Sequence, residues 1–379
     1  MERRGRLRPV VWYTSTARRH DPEVGRKVGW GELPSIASEE VPAAEVAARI
    51  DALPEAPDAV LTAGWTASIT WSARAAAARR GAAVILPGDK TLNERTRREP
   101  TRTASALAHA AKNRLFDGFL VTGILARQFC ASTGVPEDRI ARGLYPVDVA
   151  WWQARMKALG ERSAELRRWA GDGATVVVAV TKLSEREDPL GLVRAFGRMH
   201  RKVPKARFLL VGDGPMREAT RSTAGAQRWG AALRMEGYVP YQELPLYYGA
   251  ADIFVHAPKV EPWGLSVLEA MACGVPVVAT TAVGSAADLV ITGRTGWVAE
   301  PDDPDRLGGA LASLAAAIRR RPFHEEVTER VRAFDLDSAS EELEHLVERC
   351  CYKGMPADWP SVAAVARRSV RNEWGAWPP

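Results

Sequence analysis

Eight short apolar runs, spaced by helical patterns, constrain this chain more than any other feature of its sequence. Four lie in the first part: PVVWYT, DAVLTA, AAVILP and GFLVTG. Ala/Arg-rich stretches such as SARAAAARRG separate them. Continuous apolar runs of this length read as strands buried on both faces, and strand–helix alternation predicts a parallel sheet covered on both sides. The rhythm stops between Pro146 and Gly173, where AWWQARMKALGERSAELRRWAGDG reads as helix and linker. It restarts with ATVVVAV, ARFLLVG, ADIFVH and VPVVAT. A chain of 379 residues is long for one core, so two α/β domains with a cleft between them are expected. The boundaries predicted are 1–150 for the first domain, 151–173 for a linker, 174–345 for the second domain and 346–379 for a tail. The tail carries no strand pattern and is expected to return to the first domain as a helix.

Several function classes drop out on composition. Cys130, Cys273, Cys350 and Cys351 form neither a disulfide framework nor a zinc-ligand spacing. The basic head MERRGRLRPVVWYTSTARRH has too short an apolar run for a secretory signal, and no stretch reaches a membrane-spanning length. A cytoplasmic protein is expected. The net charge of +6 permits peripheral contact with an anionic membrane face. No motif supports nucleic-acid binding.

Open parallel sheets bind ligands beyond the carboxyl ends of their strands. Three segments of the second half fall there. In VGDGPMRE, a strand runs into Gly212, Asp213 and Gly214, which allow a sharp turn and close backbone approach, and Pro215 suits a helix start. In VTKLSEREDP, Lys182 and Arg186 place cations among Glu185, Glu187 and Asp188. In EPWGLSVLEAMACGVPVVAT, Ser266-x-x-Glu269 has the form of a capping box, and Gly274 with Pro276 ends the helix. That reading accounts for Glu269 but not for Glu261. Nor does it account for Gly264, where a helix N-terminus stands open to an anion. Free N–H groups flanked by two carboxylates suit a ligand that is both phosphorylated and rich in hydroxyls, such as a nucleotide sugar. Both accounts of Glu269 stand at this level.

Glu261 and Glu269, with seven residues between them, resemble the E-x7-E signature of retaining glycosyltransferases of family 4, which have the GT-B fold. The segments ARFLLVGDGPMRE, GYVPYQELPLYYGAADIFVHAP and AVGSAADLVITGRTGWV follow that family's order and spacing. The resemblance implies two Rossmann-like domains facing a central cleft. It implies that Glu269 holds the donor's ribose hydroxyls and that Glu261 sits beside the transferred sugar. By the same match, Gly264, Leu265 and Ser266 face the sugar and pyrophosphate, Lys182 binds the diphosphate, and Tyr238 and Val239 meet the nucleobase. Asp89 in PGDKT matches an acidic acceptor-side position, and His20 is a second acceptor-side candidate.

Two departures accompany the match. Glu187 stands where the family carries a second cation, with Arg186 before it, and the first domain lacks the family's N-terminal glycine-pair loop, with Ala63 where relatives often carry His. The expected activity is transfer of a sugar from a UDP- or GDP-linked donor to a small-molecule, lipid-linked or glycan acceptor, with no metal required. PDDPD, at 301–305, reads as a loop and helix start and not as a metal motif. The alternatives are an attenuated or inactive relative that binds a nucleotide sugar or partner, and a GT-B enzyme of other chemistry such as a nucleotide-sugar epimerase. Trp12, Trp30, Trp65 and Trp71 could stack on a sugar or belong to the core.

Overall fold

The computed structural model describes residues 41–62, 64, 68–91 and 102–352, those at 102–106 and 352 by backbone only. It also describes the backbone of β1 (Val11–Tyr13), β2 (His20–Asp21), β3 (Arg26–Lys27) and β4 (Ser38–Glu40). Ala63, Trp30, Trp65 and the tail 353–379 lie outside the described residues, as do the side chains of Trp12 and His20. The chain forms two compact units. The first comprises 1–17, 33–146 and 336–379, and the second 18–32 and 147–335.

In the first unit, β5 (Ala59–Leu61), β6 (Ala83–Gly88), β7 (Gly118–Val121) and β8 (Ile140–Arg142) form a parallel sheet in chain order. Three of these four strands coincide with predicted apolar runs. Val84, Leu86, Phe119 and Val121 face one cluster with Phe116 and Phe129. Ile85, Leu120 and Ala141 face the other way, onto Leu343, Leu346 and Cys350 of the helix Leu336–Tyr352. That helix lies so close to β7 that a Cβ on Gly118 would come 2.7 Å from Cys350 Sγ and 3.1 Å from Leu346 Cδ1. Gly118→Val is therefore expected to cost about 1–3 kcal/mol, the usual penalty for overpacking. Urea denaturation of the variant, alone and with Cys350→Ala, measures it. An unchanged midpoint would contradict the close approach.

The second unit has six parallel strands in the order β11-β10-β9-β12-β13-β14. They are β9 (Thr175–Val180), β10 (Ala206–Val211), β11 (Leu233–Gly237), β12 (Ile253–His256), β13 (Val277–Thr280) and β14 (Gly296–Ala299). The four central strands are the four predicted runs, and their burial is nearly complete, with Val177, Val178, Phe208 and Phe254 at 0% exposure. β11 and β14 were not predicted. They are edge strands, half-buried at four of five residues in β11 and at two of four in β14, so they lack the continuous apolar run that marks a strand covered on both faces.

The chain builds outward from β9 through β10 to β11, then returns beside β9 and builds the other way through β12, β13 and β14. The order thus reverses between β9 and β12, the kind of switch point beyond whose carboxyl ends open parallel sheets bind ligands. Helix starts in this unit are locally encoded. Asp188, in the left-handed region at φ 45°, accepts a hydrogen bond from the Gly191 N–H at 3.1 Å and is followed by Pro189 at the first helical position. Asp303 accepts from the Arg306 N–H at 2.9 Å, so PDDPD is the loop and helix start that its sequence suggests.

The stretch 151–173, expected as a linker, lies mostly in the helices Val149–Ala158 and Gly160–Arg168 of the second unit. Asp148 caps the first by accepting from the Trp151 N–H at 2.9 Å. Trp152 is fully buried, and the Ser163 hydroxyl donates to the Leu246 carbonyl at 3.0 Å. The polar composition of these helices is that of their outer faces. Among the described residues, no helix is long and apolar enough to cross a membrane.

Candidate functional site

The loops beyond β9, β10, β11, β12 and β13 are tied to one another at the carboxyl end of the second sheet. Gly212 N–H donates to Gly237 O at 2.8 Å, Leu183 N–H to Asp213 O at 3.0 Å, and Lys259 N–H to Arg186 O at 2.8 Å. Glu261 N–H donates to Ala282 O at 3.1 Å, and Gly284 N–H returns to Glu261 O at 2.9 Å. The structure therefore brings Lys182, Arg186, Gly212, Asp213, Gly214, Glu261, Gly264, Leu265 and Ser266 to one edge of one sheet. Tyr238 and Val239 follow β11 on the same edge, with Tyr238 exposed. Asp89 is exposed just past β6 in the first unit.

Gly212 and Gly264 are obligatory in this edge. Gly212 has φ 142°, and a Cβ there would lie 1.7 Å from Thr181 O. Gly264 has φ 90°, and a Cβ would meet Val283 Cγ1 at 2.9 Å. Asp213 serves the turn itself, accepting from the Gly214 N–H at 2.9 Å. The following helix begins at Arg217, two residues later than Pro215 suggested, because Gly214 to Met216 are spent in the turn.

The capping box is corrected by the structure. The helix Leu265–Ala272 starts one residue before Ser266, with left-handed Gly264 as its N-cap and no side chain capping it. Ser266 thus falls inside the first turn, and its spacing to Glu269 no longer spans the cap. Glu269 is instead buried at 8% exposure, where its Oε2 accepts a hydrogen bond from the fully buried Tyr248 hydroxyl at 3.1 Å. Burial pushes the Glu269 carboxyl up to about 7, against the pull of the Tyr248 hydroxyl. The helix end follows the sequence reading: Gly274 is left-handed at φ 76° and its N–H bonds to Met271 O at 2.9 Å.

Glu261 is held by both oxygens. Oε1 accepts from the Trp263 N–H at 3.2 Å, and Oε2 pairs with Arg186 at 3.1 Å. Arg186 also reaches Glu187 at 2.6 Å, and the other oxygen of Glu187 accepts from the Thr181 hydroxyl at 2.9 Å. His256 completes this corner. The residue is 5% exposed, its Nε2 has no hydrogen-bond partner, and burial pushes its pKa down against the pull of Glu187 and Glu261. Glu187, His256 and Glu261 could together hold a metal ion, with ligand atoms within 4.8 Å of one another. The Arg186 guanidinium bridges both carboxylates, so a cation already occupies that position. Thr181, Tyr248 and His256 were missed from sequence. A threonine after a strand and aromatics in apolar runs carry no local signal of a site.

The arrangement is an anion-receptive helix N-terminus at a topological switch point, flanked by one cation-paired and one buried carboxylate. The two parallel-sheet units are those of the GT-B fold. HepE of Anabaena, in complex with UDP and glucose, superposes with a TM-score of 0.62 at 17% identity over 81% of both chains. The sucrose-phosphate synthase of Thermosynechococcus elongatus does so with 0.61 at 20% identity over 90% of this chain and 89% of that one.

Residues 167–329, most of the second unit, match the family model of glycosyl transferases group 1. Over 152 residues the chain is 34% identical to a GDP-mannose-dependent alpha-(1-6)-phosphatidylinositol monomannoside mannosyltransferase of Mycolicibacterium smegmatis. That segment is 38% of this chain and 40% of the relative. An alpha-monoglucosyldiacylglycerol synthase of Acholeplasma laidlawii is 29% identical over 103 residues, 27% of this chain and 26% of the relative. The similarity thus spans well under half the length of these curated relatives.

Proposed function

We propose that this chain is a glycosyltransferase of family 4 type that moves a sugar from a nucleotide-sugar donor to an acceptor hydroxyl with retention of configuration. The observation that carries the reading is the uncapped, left-handed start of the helix at Gly264, set between Glu261 and Glu269 at the point where the strand order reverses. The first N–H groups of that helix receive phosphate or sugar oxygens. Glu269 accepts from the ribose hydroxyls, Glu261 faces the transferred sugar, and Lys182 and Arg186 meet the diphosphate. Tyr238 and Val239 border the base, and Asp89 acts on the acceptor side. The bond from the anomeric carbon to the diphosphate breaks, the acceptor oxygen takes its place, and a nucleoside diphosphate and one proton are released. Catalysis rests on positioning and on cations preorganised around the leaving diphosphate.

The match to a GDP-mannose-dependent enzyme favours a GDP-linked donor, with UDP-linked donors next. The two relatives named for phosphatidylinositol monomannoside and diacylglycerol products favour a lipid-linked acceptor, reached by a cytoplasmic protein at a membrane face. Calorimetric titration of GDP-, UDP-, ADP- and dTDP-sugars tests the reading without an acceptor. One donor class is expected to bind the wild type and to lose at least tenfold in affinity to Glu269→Ala, the scale of lost hydrogen bonds to a charged group. Equal binding by both proteins would reduce Glu269 to a structural residue. Failure of every donor would sink the function.

A further inference from the structure

Glu187 breaks the resemblance, because a carboxylate stands where the family carries a cation. The structure shows what that carboxylate does. It is 4% exposed, and a buried carboxylate without partners is strongly disfavoured. One of its oxygens takes the Thr181 hydroxyl, and the other takes the Arg186 guanidinium at 2.6 Å. Held there, Arg186 reaches from the loop after β9 to the loop after β12, donating to the Val260 carbonyl at 3.4 Å and to Glu261 at 3.1 Å. Two carboxylates therefore hold the two terminal nitrogens of its guanidinium, while 40% of the side-chain surface stays open.

We infer that the second diphosphate-binding cation of this site has been transposed by one residue, with Arg186 as the cation and Glu187 as the residue that positions it. The inference rests on the glycosyltransferase reading and adds a residue to it. A neighbouring side chain that simply pointed outward would leave the site one positive charge short. The Glu187 carboxylate turns Arg186 back over the sheet edge and restrains it, so less side-chain freedom is lost when phosphate arrives. An incoming β-phosphate competes with Glu261 for the guanidinium and leaves the buried Glu187 contact intact. Glu261 is thereby released toward the sugar as the diphosphate is bound.

Nucleoside diphosphates and monophosphates separate this role from a structural one, because only the diphosphate carries the second phosphate. The experiment titrates GDP, GMP, UDP and UMP into wild type, Arg186→Ala, Glu187→Ala, Glu187→Gln and the double variant Arg186→Ala/Glu187→Ala, each checked for an intact thermal transition. Arg186→Ala is expected to weaken the diphosphate by about tenfold to a hundredfold, the scale of a charge-assisted hydrogen bond, and to leave the monophosphate within about twofold. Glu187→Ala should show the same selective loss at smaller size, and Glu187→Gln, which still accepts from Arg186, should recover part of it. The double variant should be no worse than Arg186→Ala, since one residue acts through the other. Moving the cation to the family's position, with Arg186→Ala and Glu187→Lys together, should return diphosphate selectivity.

Tighter diphosphate binding by Arg186→Ala would overturn the inference, making the arginine a plug between two acids. Equal losses for diphosphate and monophosphate would also overturn it. If wild type discriminates diphosphate from monophosphate and Arg186→Ala does so equally well, the transposition falls and the glycosyltransferase reading stands. If wild type binds none of the four nucleotides, both fall.

Discussion

Glu269→Gln is expected to stabilise the protein at pH 8 while weakening donor binding. The carboxyl is raised from 4.5 to about 7 by burial. Below pH 4.5 it is protonated in both the folded and unfolded chains, and its contribution to stability is fully present. Between pH 4.5 and 7 the folded state holds the proton that the unfolded state gives up. Stability therefore falls as pH rises, and above pH 7 the full cost of a buried charge is carried. A shift of this size corresponds to a loss on the order of 3 kcal/mol. Glutamine keeps the size and an acceptor for the Tyr248 hydroxyl but carries no charge, so its unfolding free energy should lack this slope.

Function should respond in the opposite sense. Hydroxyl donors on a ribose bind the ionised carboxylate more strongly than a neutral carboxyl or amide, so wild-type affinity should climb through pH 7. The variant should be flat and about tenfold to a hundredfold weaker at pH 8. Urea unfolding and nucleotide titration of both proteins from pH 4.5 to 8.5 provide both readouts. A glutamine variant that retains the wild-type stability slope would refute the assignment of that slope to Glu269.

Gly212→Ala should give the largest loss of stability of any single methyl addition to the second unit. A Cβ at 1.7 Å from Thr181 O cannot be accommodated by rotating a side chain, because the obstruction is backbone. The φ of 142° adds strain for any L-residue. Moving the turn away breaks the Gly212–Gly237 and Leu183–Asp213 hydrogen bonds that join three loops of the site. The expected cost is on the order of 3–5 kcal/mol. Gly309→Ala is the internal control. It lies within the helix Pro304–Ile318 with nothing within 4 Å of a Cβ and no left-handed φ. There the same substitution should stabilise by about 0.5–1 kcal/mol. Denaturant midpoints of the two variants should move in opposite directions. Similar midpoints would mean that the turn at Gly212 is far more yielding than its backbone contacts indicate.

The two sheets were legible because their central strands are buried on both faces and read as continuous apolar runs. LRMEG of β11 escaped notice because an edge strand needs no such run, and β14 did so for the same reason. The candidate site was legible as a resemblance, and of the two accounts of Glu269 the capping one gives way to a buried contact. Ser266-x-x-Glu269 has a capping spacing, but Gly264 can enter the left-handed region and begins the helix earlier, which releases Glu269 to Tyr248. The sequence separation of 21 residues between those two has no periodicity to betray it. Arg186 and Glu187 were visible as a departure from the family. Their mutual arrangement was not, since it depends on Thr181 and Glu261 as third and fourth partners.

The chain enters the second unit at Val147 and leaves it at Asp335, and these two residues lie side by side in a parallel bridge. The helix that follows supplies Leu343, Leu346 and Cys350 to one face of the first unit's sheet. On a ribosome, the residues of that sheet emerge first but wait about 200 residues for this cover, from Arg142 to Leu343. The second unit, contiguous from Val147 to Asp335 apart from a short N-terminal segment, is complete just before that helix begins at Leu336. Vectorial synthesis would therefore finish the two units in the reverse of their order of appearance, leaving the first sheet's uncovered face as the surface most exposed to a chaperone or to misassembly.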